Sequence, residues 1–171
     1  MPTGIGQIVH VYPVLGHTVT SDGTDGLITA GFVDLFDAES IEFLVSFGVL
    51  ESSDSAGLWT VSVLASSTTT AAGAAIGWLY NLSGAAGADT MGGVTAVVST
   101  DTLALTSDAS TKVLVVHVEP GAVAGAGADK RYVYLTCQSD TADDNGPTGS
   151  MGVIALIAPR HKQVTMTPTT A

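Results

Sequence analysis

The apolar residues of this chain recur at every second position over short segments, and this alternation constrains the fold more than any other feature. Residues 40–50 and 57–66 show it most clearly. Their alternating apolar residues are Ile41, Phe43, Val45, Phe47 and Val49 in the first segment, and Trp59, Val61, Val63 and Ala65 in the second. Leu44 is the exception to the pattern. Because successive side chains of a strand point to opposite faces, a period of two predicts strands with one buried face.

Eight further segments have a similar pattern and are predicted as strands: residues 7–15, 27–35, 76–82, 93–98, 101–106, 112–119, 131–138 and 151–158. The segments between strands are rich in residues that favour turns, and the clearest are 21–26, 51–57, 120–130 and 139–149. Within 120–130, the sequence AVAGAGAD is interpreted as a hairpin tip. Short strands with turn-rich separators and no long helical pattern predict an all-β fold, a jelly-roll-like β-sandwich of about eight to ten strands.

The chain has 171 residues, which is enough for one domain with a sizeable core. We expect one β-sandwich domain over residues 1–163, with an N-terminal arm at 1–7 and a C-terminal tail at 164–171. The last strand, from Gly149 to Ala158, is apolar on both faces and is therefore expected to be central in its sheet. Pro159 is expected to end it, since proline cannot donate to a strand ladder.

Charge is scarce and unevenly placed. Charged residues make up 12% of the chain, about half the usual share, and the formal net charge is −11. All the basic residues follow position 111: Lys112, Lys130, Arg131, Arg160 and Lys162. This acidity disfavours nucleic-acid binding, and no run of about 20 apolar residues predicts a membrane span. The low charge suggests that a partner covers part of the surface.

No motif for catalysis or for cofactor binding stands out. The four histidines are not accompanied by a Gly-x-Ser-x-Gly motif, and His10 and His117 fall inside predicted strands, where a structural role is favoured. The acidic segments 21–26 and 140–146 lack the spacing and closing Glu of a calcium loop, so turn chemistry is favoured there. The single cysteine, Cys137, is interpreted as a half-buried apolar residue. We expect no enzymatic activity, no metal and no cofactor.

Several segments together resemble a known family. An alternating strand that starts Ser-Ile-Glu-Phe follows the acidic turn DLFDAE. A basic-aromatic strand, KRYVYLT, covers 130–136, and the final strand runs from Val153 to the Pro-Arg-His sequence ending at His161. This order resembles small virion structural proteins of tailed bacteriophages over residues 27–50 and 111–163. Segment 66–110 is longer and less charged than the family pattern.

The resemblance implies a decoration or cement protein that stabilises the head shell. Such a protein would be made in the host cytoplasm, lie on the head surface of the virion, form a homotrimer and bind the major capsid protein. Five residues at the ends of predicted strands are expected to contact acidic protein surface on the partner: Lys130, Arg131, Arg160, His161 and Lys162. One alternative is a neck or tail location. Another is a carbohydrate-binding module that uses Trp59, Trp78, Tyr80 and the acidic loops, although core packing is favoured for both tryptophans. A β-sandwich hydrolase would need a convergent acid/base pair, which the spacing does not provide.

Overall fold

The computed structural model describes residues 9–21, 27–36, 38–50, 59–70, 72–84, 90–99, 102–106, 109–139 and 148–160. These residues form strands β1 (His10–Ser21), β2 (Leu27–Thr29), β3 (Val33–Asp34), β4 (Ala38–Leu50), β5 (Trp59–Ser66), β6 (Ala74–Ala75), β7 (Trp78–Leu82), β8 (Thr95–Val97), β9 (Leu103–Leu105), β10 (Val113–Val118), β11 (Tyr132–Ser139) and β12 (Thr148–Pro159). One short helix, α1 (Pro120–Gly125), lies between β10 and β11. The predicted arm at 1–7, the tail at 164–171 and most of the two acidic turns lie outside the described residues.

The strands pair in a nested order. β1 pairs with β12, β2 and β3 pair with β11, β4 pairs with β10, and β5 pairs with β9, all antiparallel. Each of these pairs encloses the next along the chain, so the chain folds back on itself like one long hairpin. Successive pairs alternate between two sheets, which is the arrangement of a jelly roll. The prediction of an all-β sandwich is confirmed.

The two sheets have six strands each in the described part of the chain. The first sheet has the order β1-β12-β4-β10-β7-β8. The second has the order β2-β11-β5-β6, with β3 also paired to β11 and β9 also paired to β5. Strands β6 to β8 are an excursion between β5 and β9. β7 and β8 widen the first sheet by two strands beyond β10, whereas β6 pairs with β5 in the second sheet.

The inward faces of the two sheets form one hydrophobic core. Every predicted inward residue of β5 is buried, and so are Ile41, Phe43, Val45 and Phe47 of β4. Fully burying a side chain of this size stabilises the fold by about 1.5–3 kcal/mol. The alternating pattern therefore identified most of the core of both long strands.

Val49 does not follow the predicted alternation. Its side chain is 52% exposed, whereas Leu50 is 2% exposed and takes the inward position. The register between β4 and β12 shifts here, because Phe47 pairs with Met151 but Leu50 pairs with Gly149. A bulge of this kind inserts an extra residue and moves the following side chain to the other face. The prediction for Val49 was wrong for that reason.

The prediction of a central final strand is confirmed, since β12 lies between β1 and β4 in the first sheet. The strand ends at Pro159, which pairs with Ala38. β1 continues to Ser21, beyond the predicted end at residue 15.

The sequence AVAGAGAD, residues 122–129, was wrongly predicted as a hairpin tip, because its first four residues belong to α1. Pro120 occupies the start of the helix, where its missing N–H and fixed φ are favourable. Val123 is buried against the core, and Ala126 packs on it. The helix connects β10 in the first sheet to β11 in the second.

Gly149 and Trp59 pack closely across the sandwich. A Cβ at Gly149 would overlap the six-membered ring of Trp59. We expect Gly149→Ala to lower the free energy of unfolding by about 1–3 kcal/mol, the usual cost of overpacking a core. Chemical denaturation followed by tryptophan fluorescence measures this.

Gly93→Ala is the matched control, because no heavy atom lies within 4 Å of a Cβ built at Gly93. Its unfolding free energy should change by less than about 0.5 kcal/mol. Equal stability of both variants would contradict the close packing of Gly149 on Trp59.

Candidate interaction surfaces

Arg131 is held in place by an ion pair with Asp34. Arg131 directly precedes β11, and Asp34 ends the neighbouring strand β3, opposite Tyr132. The guanidinium Nε donates to Asp34 Oδ1 at 2.6 Å, and Nη2 donates to Oδ2. Two parallel bonds to one carboxylate fix the plane of the guanidinium as well as its position. Of the five predicted contact residues, Arg131 therefore already has an intramolecular partner.

The same guanidinium covers an exposed aromatic ring. The Phe36 side chain is 68% exposed, and the Arg131 Cζ atom lies 4.7 Å from its ring centroid. A second ring, that of Tyr132, lies 5.6 Å from the same atom. The backbone N–H of Phe36 donates to Asp34 Oδ1 at 2.9 Å, so the turn that carries Phe36 is also fixed. Asp34, Phe36, Arg131 and Tyr132 are called the arginine–aromatic corner below.

Arg160 emerges at the same end of the sandwich as this corner. It is exposed and follows Pro159, which pairs with Ala38. The Ala38 N–H donates to the Leu35 carbonyl at 3.1 Å, and the Leu35 N–H donates to the Arg131 carbonyl at 2.9 Å. A short chain of backbone contacts therefore links the end of β12 to the corner.

The other predicted contact residues are placed less favourably or lie outside the described residues. The Lys130 side chain is 20% exposed, and its Nζ lies 4.0 Å from Asp129 Oδ2. His161 and Lys162 fall outside the described residues. Phe36 and Asp34 were not predicted as contact residues. The sequence feature that could have indicated them is Phe36 inside the acidic turn DLFDAE. It lies two residues after Asp34, whose side chain can bond to the backbone N–H of Phe36.

A second polar cluster lies on the outward face of the first sheet. His117 Nδ1 is 3.0 Å from Glu42 Oε1, and Nε2 is 2.8 Å from Asn81 Oδ1. Asn81 Nδ2 donates to the Gly92 carbonyl at 2.8 Å, which sets the amide orientation. Each ring nitrogen therefore faces a side-chain oxygen. The cluster ties together β4, β10 and β7, which fits the structural role predicted for His117.

An open hollow of about 430 Å³ adjoins His117. Its walls come from β7, the β8 region and α1, and they are mostly apolar: Gly77, Trp78, Leu79, Ala96, Val97, Val98, Ser99, His117, Glu119 and Ala122. The volume falls in the range of small-molecule sites. Its polar side chains are those of Ser99, His117 and Glu119, and both ring nitrogens of His117 bond to residues outside the lining, Glu42 and Asn81.

Both tryptophans are core residues. Trp59 is 1% exposed and Trp78 is 4% exposed. Tyr80 is half-buried, with its ring centroid 5.7 Å from that of Trp78. The core-packing interpretation of the tryptophans is confirmed. A carbohydrate site that stacks sugars on these two indoles is not available in this fold.

Within the described ranges, no group of three or more His, Cys, Asp or Glu side chains could hold a metal ion. In the same part of the chain, no helix has the length and apolarity needed to cross a membrane.

Cys137 lies in the core strand β11 and is fully buried. Burial raises the pKa of its thiol from 9.0 to about 12, because the apolar surroundings penalise the thiolate. We expect iodoacetamide at pH 8 to leave the folded protein unmodified over hours and to alkylate it fully after denaturation. Intact mass spectrometry measures this at a single site, since the chain has one cysteine. Rapid alkylation of the folded protein would contradict the burial of Cys137.

No family model matches the sequence, and no curated protein matches it. Among solved structures, the chain is similar to a chain in the structure of infectious bursal disease virus, Gt strain, at 11% identity and a TM-score of 0.21. The alignment covers 95% of this chain and 44% of the viral chain, so this chain spans less than half of that protein's length. A TM-score of 0.21 carries no argument about fold or function.

Proposed function

We propose that this protein is a non-enzymatic virion structural protein of a tailed bacteriophage, a cement subunit that binds the major capsid protein on the head. The resemblance of residues 27–50 and 111–163 to that family suggests the class. The observation that carries the proposal is the arginine–aromatic corner, a rigid, exposed contact point on a β-sandwich.

The corner has the composition of a protein-binding hot spot. Arg, Tyr and Phe are enriched in interfaces, and a few such residues usually supply most of the binding energy. Phe36 is exposed, its backbone N–H donates to the Asp34 carboxylate, and Arg131 covers one face of its ring. Because these contacts already order the ring, binding would cost little side-chain entropy. Both of its strands, β3 and β11, belong to the rigid second sheet.

The other expected properties of a cement protein fit the same surface. Arg160 is an exposed cation near the corner and could pair with acidic groups of the shell. A homotrimer would present three corners at once, and avidity would multiply the affinity of each. The location on the head surface, the homotrimer and the binding to the major capsid protein are parts of one proposal.

Removing the exposed ring and the nearby charge should weaken attachment to the shell. We expect Phe36→Ala combined with Arg160→Glu to lower the affinity for capsid shells at least tenfold, because a desolvated aromatic anchor and a charge contact are lost. Reversing charge with Arg160→Glu and Lys162→Glu should weaken binding by a smaller factor. Co-sedimentation with shells of the phage that encodes this chain, assembled without it, measures both.

Leu27→Ala is the matched control, since Leu27 is an exposed apolar residue near the opposite end of the second sheet. It should bind shells like the unaltered chain. Failure of the unaltered protein to bind any form of the shell would overturn the proposed function. Equal binding by the Phe36/Arg160 variant would remove the corner from the proposal.

A further inference from the structure

The outward face of the first sheet is unusually apolar. The strand registers place one continuous row of outward side chains across all six strands: Val11, Leu156, Glu42, His117, Leu79 and Ala96. The next row across five strands contains Pro13, Ile154, Leu44, Val115 and Asn81. A shorter third row contains Gly152, Ser46 and Val113. These three rows are called the outer face of the first sheet.

Two outward rows of the second sheet are more polar, whereas a third, which contains Tyr134, Leu64 and Ala75, is apolar. One of the more polar rows contains Thr29, Thr136 and Ser62, and the other contains Leu27, Gln138, Thr60 and Ala104. Hydroxyl and amide groups dominate these rows, as expected for an antiparallel sheet with one solvated face. The first sheet has the expected apolar inner face, but its outward rows lack this polar character. Its outer face resembles a surface that is covered in the assembled protein.

The ionisable side chains of the outer face are bonded to each other. Among the side chains of its three rows, only Glu42 and His117 can carry charge, and they bond to each other. The whole chain has a formal net charge of −11. Two copies of so acidic a protein repel each other in most relative orientations, since like charges in contact are unfavourable. On the outer face, two copies can meet without bringing unpaired carboxylates of these rows together.

The flat area of the face is of the same order as the area that one partner buries in a specific contact. Six strands about 4.8 Å apart and three rows spaced about 6.8 Å along the strands give a flat area of about 500 Å², allowing for the shorter third row. A standard interface buries about 800 Å² on each partner, measured over the relief of the side chains. Exposed apolar patches of several hundred Å² on soluble proteins typically mark interaction sites.

We propose that a second copy of this chain covers the outer face of the first sheet, so that the protein is a homo-oligomer held by this surface. The apolar rows supply the buried area. The Glu42–His117–Asn81 cluster, the main polar feature on the face, sets the orientation of one copy on the other, because each of its polar atoms must remain satisfied after burial. The proposal deepens the proposed function, in which the subunit acts as a homo-oligomer, but its test requires no capsid.

The experiment places a lysine in the middle of the face. Ile154 is 39% exposed and lies on the central strand β12, so a lysine there can reach solvent in a free subunit but is desolvated in the oligomer. We expect the unaltered chain to be oligomeric by light scattering at micromolar concentration. Ile154→Lys should raise the concentration for half-dissociation at least tenfold. Its circular dichroism and thermal unfolding at low concentration should match those of the dissociated unaltered chain.

Leu27→Lys is the control, because it adds the same charge at an exposed apolar residue of the second sheet. It should leave the oligomer unchanged. If Ile154→Lys fails to fold, Val11→Lys on the edge strand β1 of the same face provides the same comparison. A monomeric unaltered chain at 100 µM would overturn the proposal, and so would equal weakening by the face and control variants. A monomer that still binds shells would remove the homotrimer from the proposed function but leave its capsid binding intact, so the two failures are distinguishable.

Discussion

The pairing of β12 with both β1 and β4 is the interaction on which the rest of the fold depends. It joins the two ends of the described chain at the β1 edge of the first sheet, and the β1–β12 pair encloses every other pair of strands along the chain. Because this ladder fixes the register of the first sheet, it also determines which side chains point inward. Ile41 and Ile157 are opposite each other in the core, whereas Leu44 and Ile154 are opposite each other on the outside. The core and the apolar outer face therefore follow from one register.

The edges of the first sheet are protected without lysine. The twelve described strands contain no Lys or Arg, although lysine is a common guard against edge-to-edge pairing. At the β1 edge, Pro13 and two register shifts interrupt the ladder, and the Val14 carbonyl accepts a hydrogen bond from Gly31. At the other edge, β8 has three residues. Backbone irregularity and short length thus replace charge at the edges, while the outer face has no comparable protection.

The sequence was sufficient to predict the strands and most of the core, because burial on one face leaves a period-two pattern. It was insufficient where the backbone deviates from regular pairing. The exposure of Val49 results from a bulge opposite β12, and the helix α1 results from the need to cross between sheets in a segment of small residues. The arginine–aromatic corner was predicted in part, since Arg131 was chosen for its charge. Its partners Asp34 and Phe36 are about a hundred positions away in the sequence, and their proximity depends on the pairing of β3 with β11.

The two surfaces occupy different parts of the molecule, and this separation matters for a subunit that must both assemble and attach. The arginine–aromatic corner lies on β3, β11 and the turn after β3, at one end of the second sheet. The outer face belongs to the first sheet and points away from the second, across the core. A second copy on the outer face would therefore leave Phe36 and Arg131 exposed at the end of the sandwich. An oligomer built in this way would hold several corners in a fixed relation, and rigid presentation is the condition under which multivalent attachment gains the most affinity.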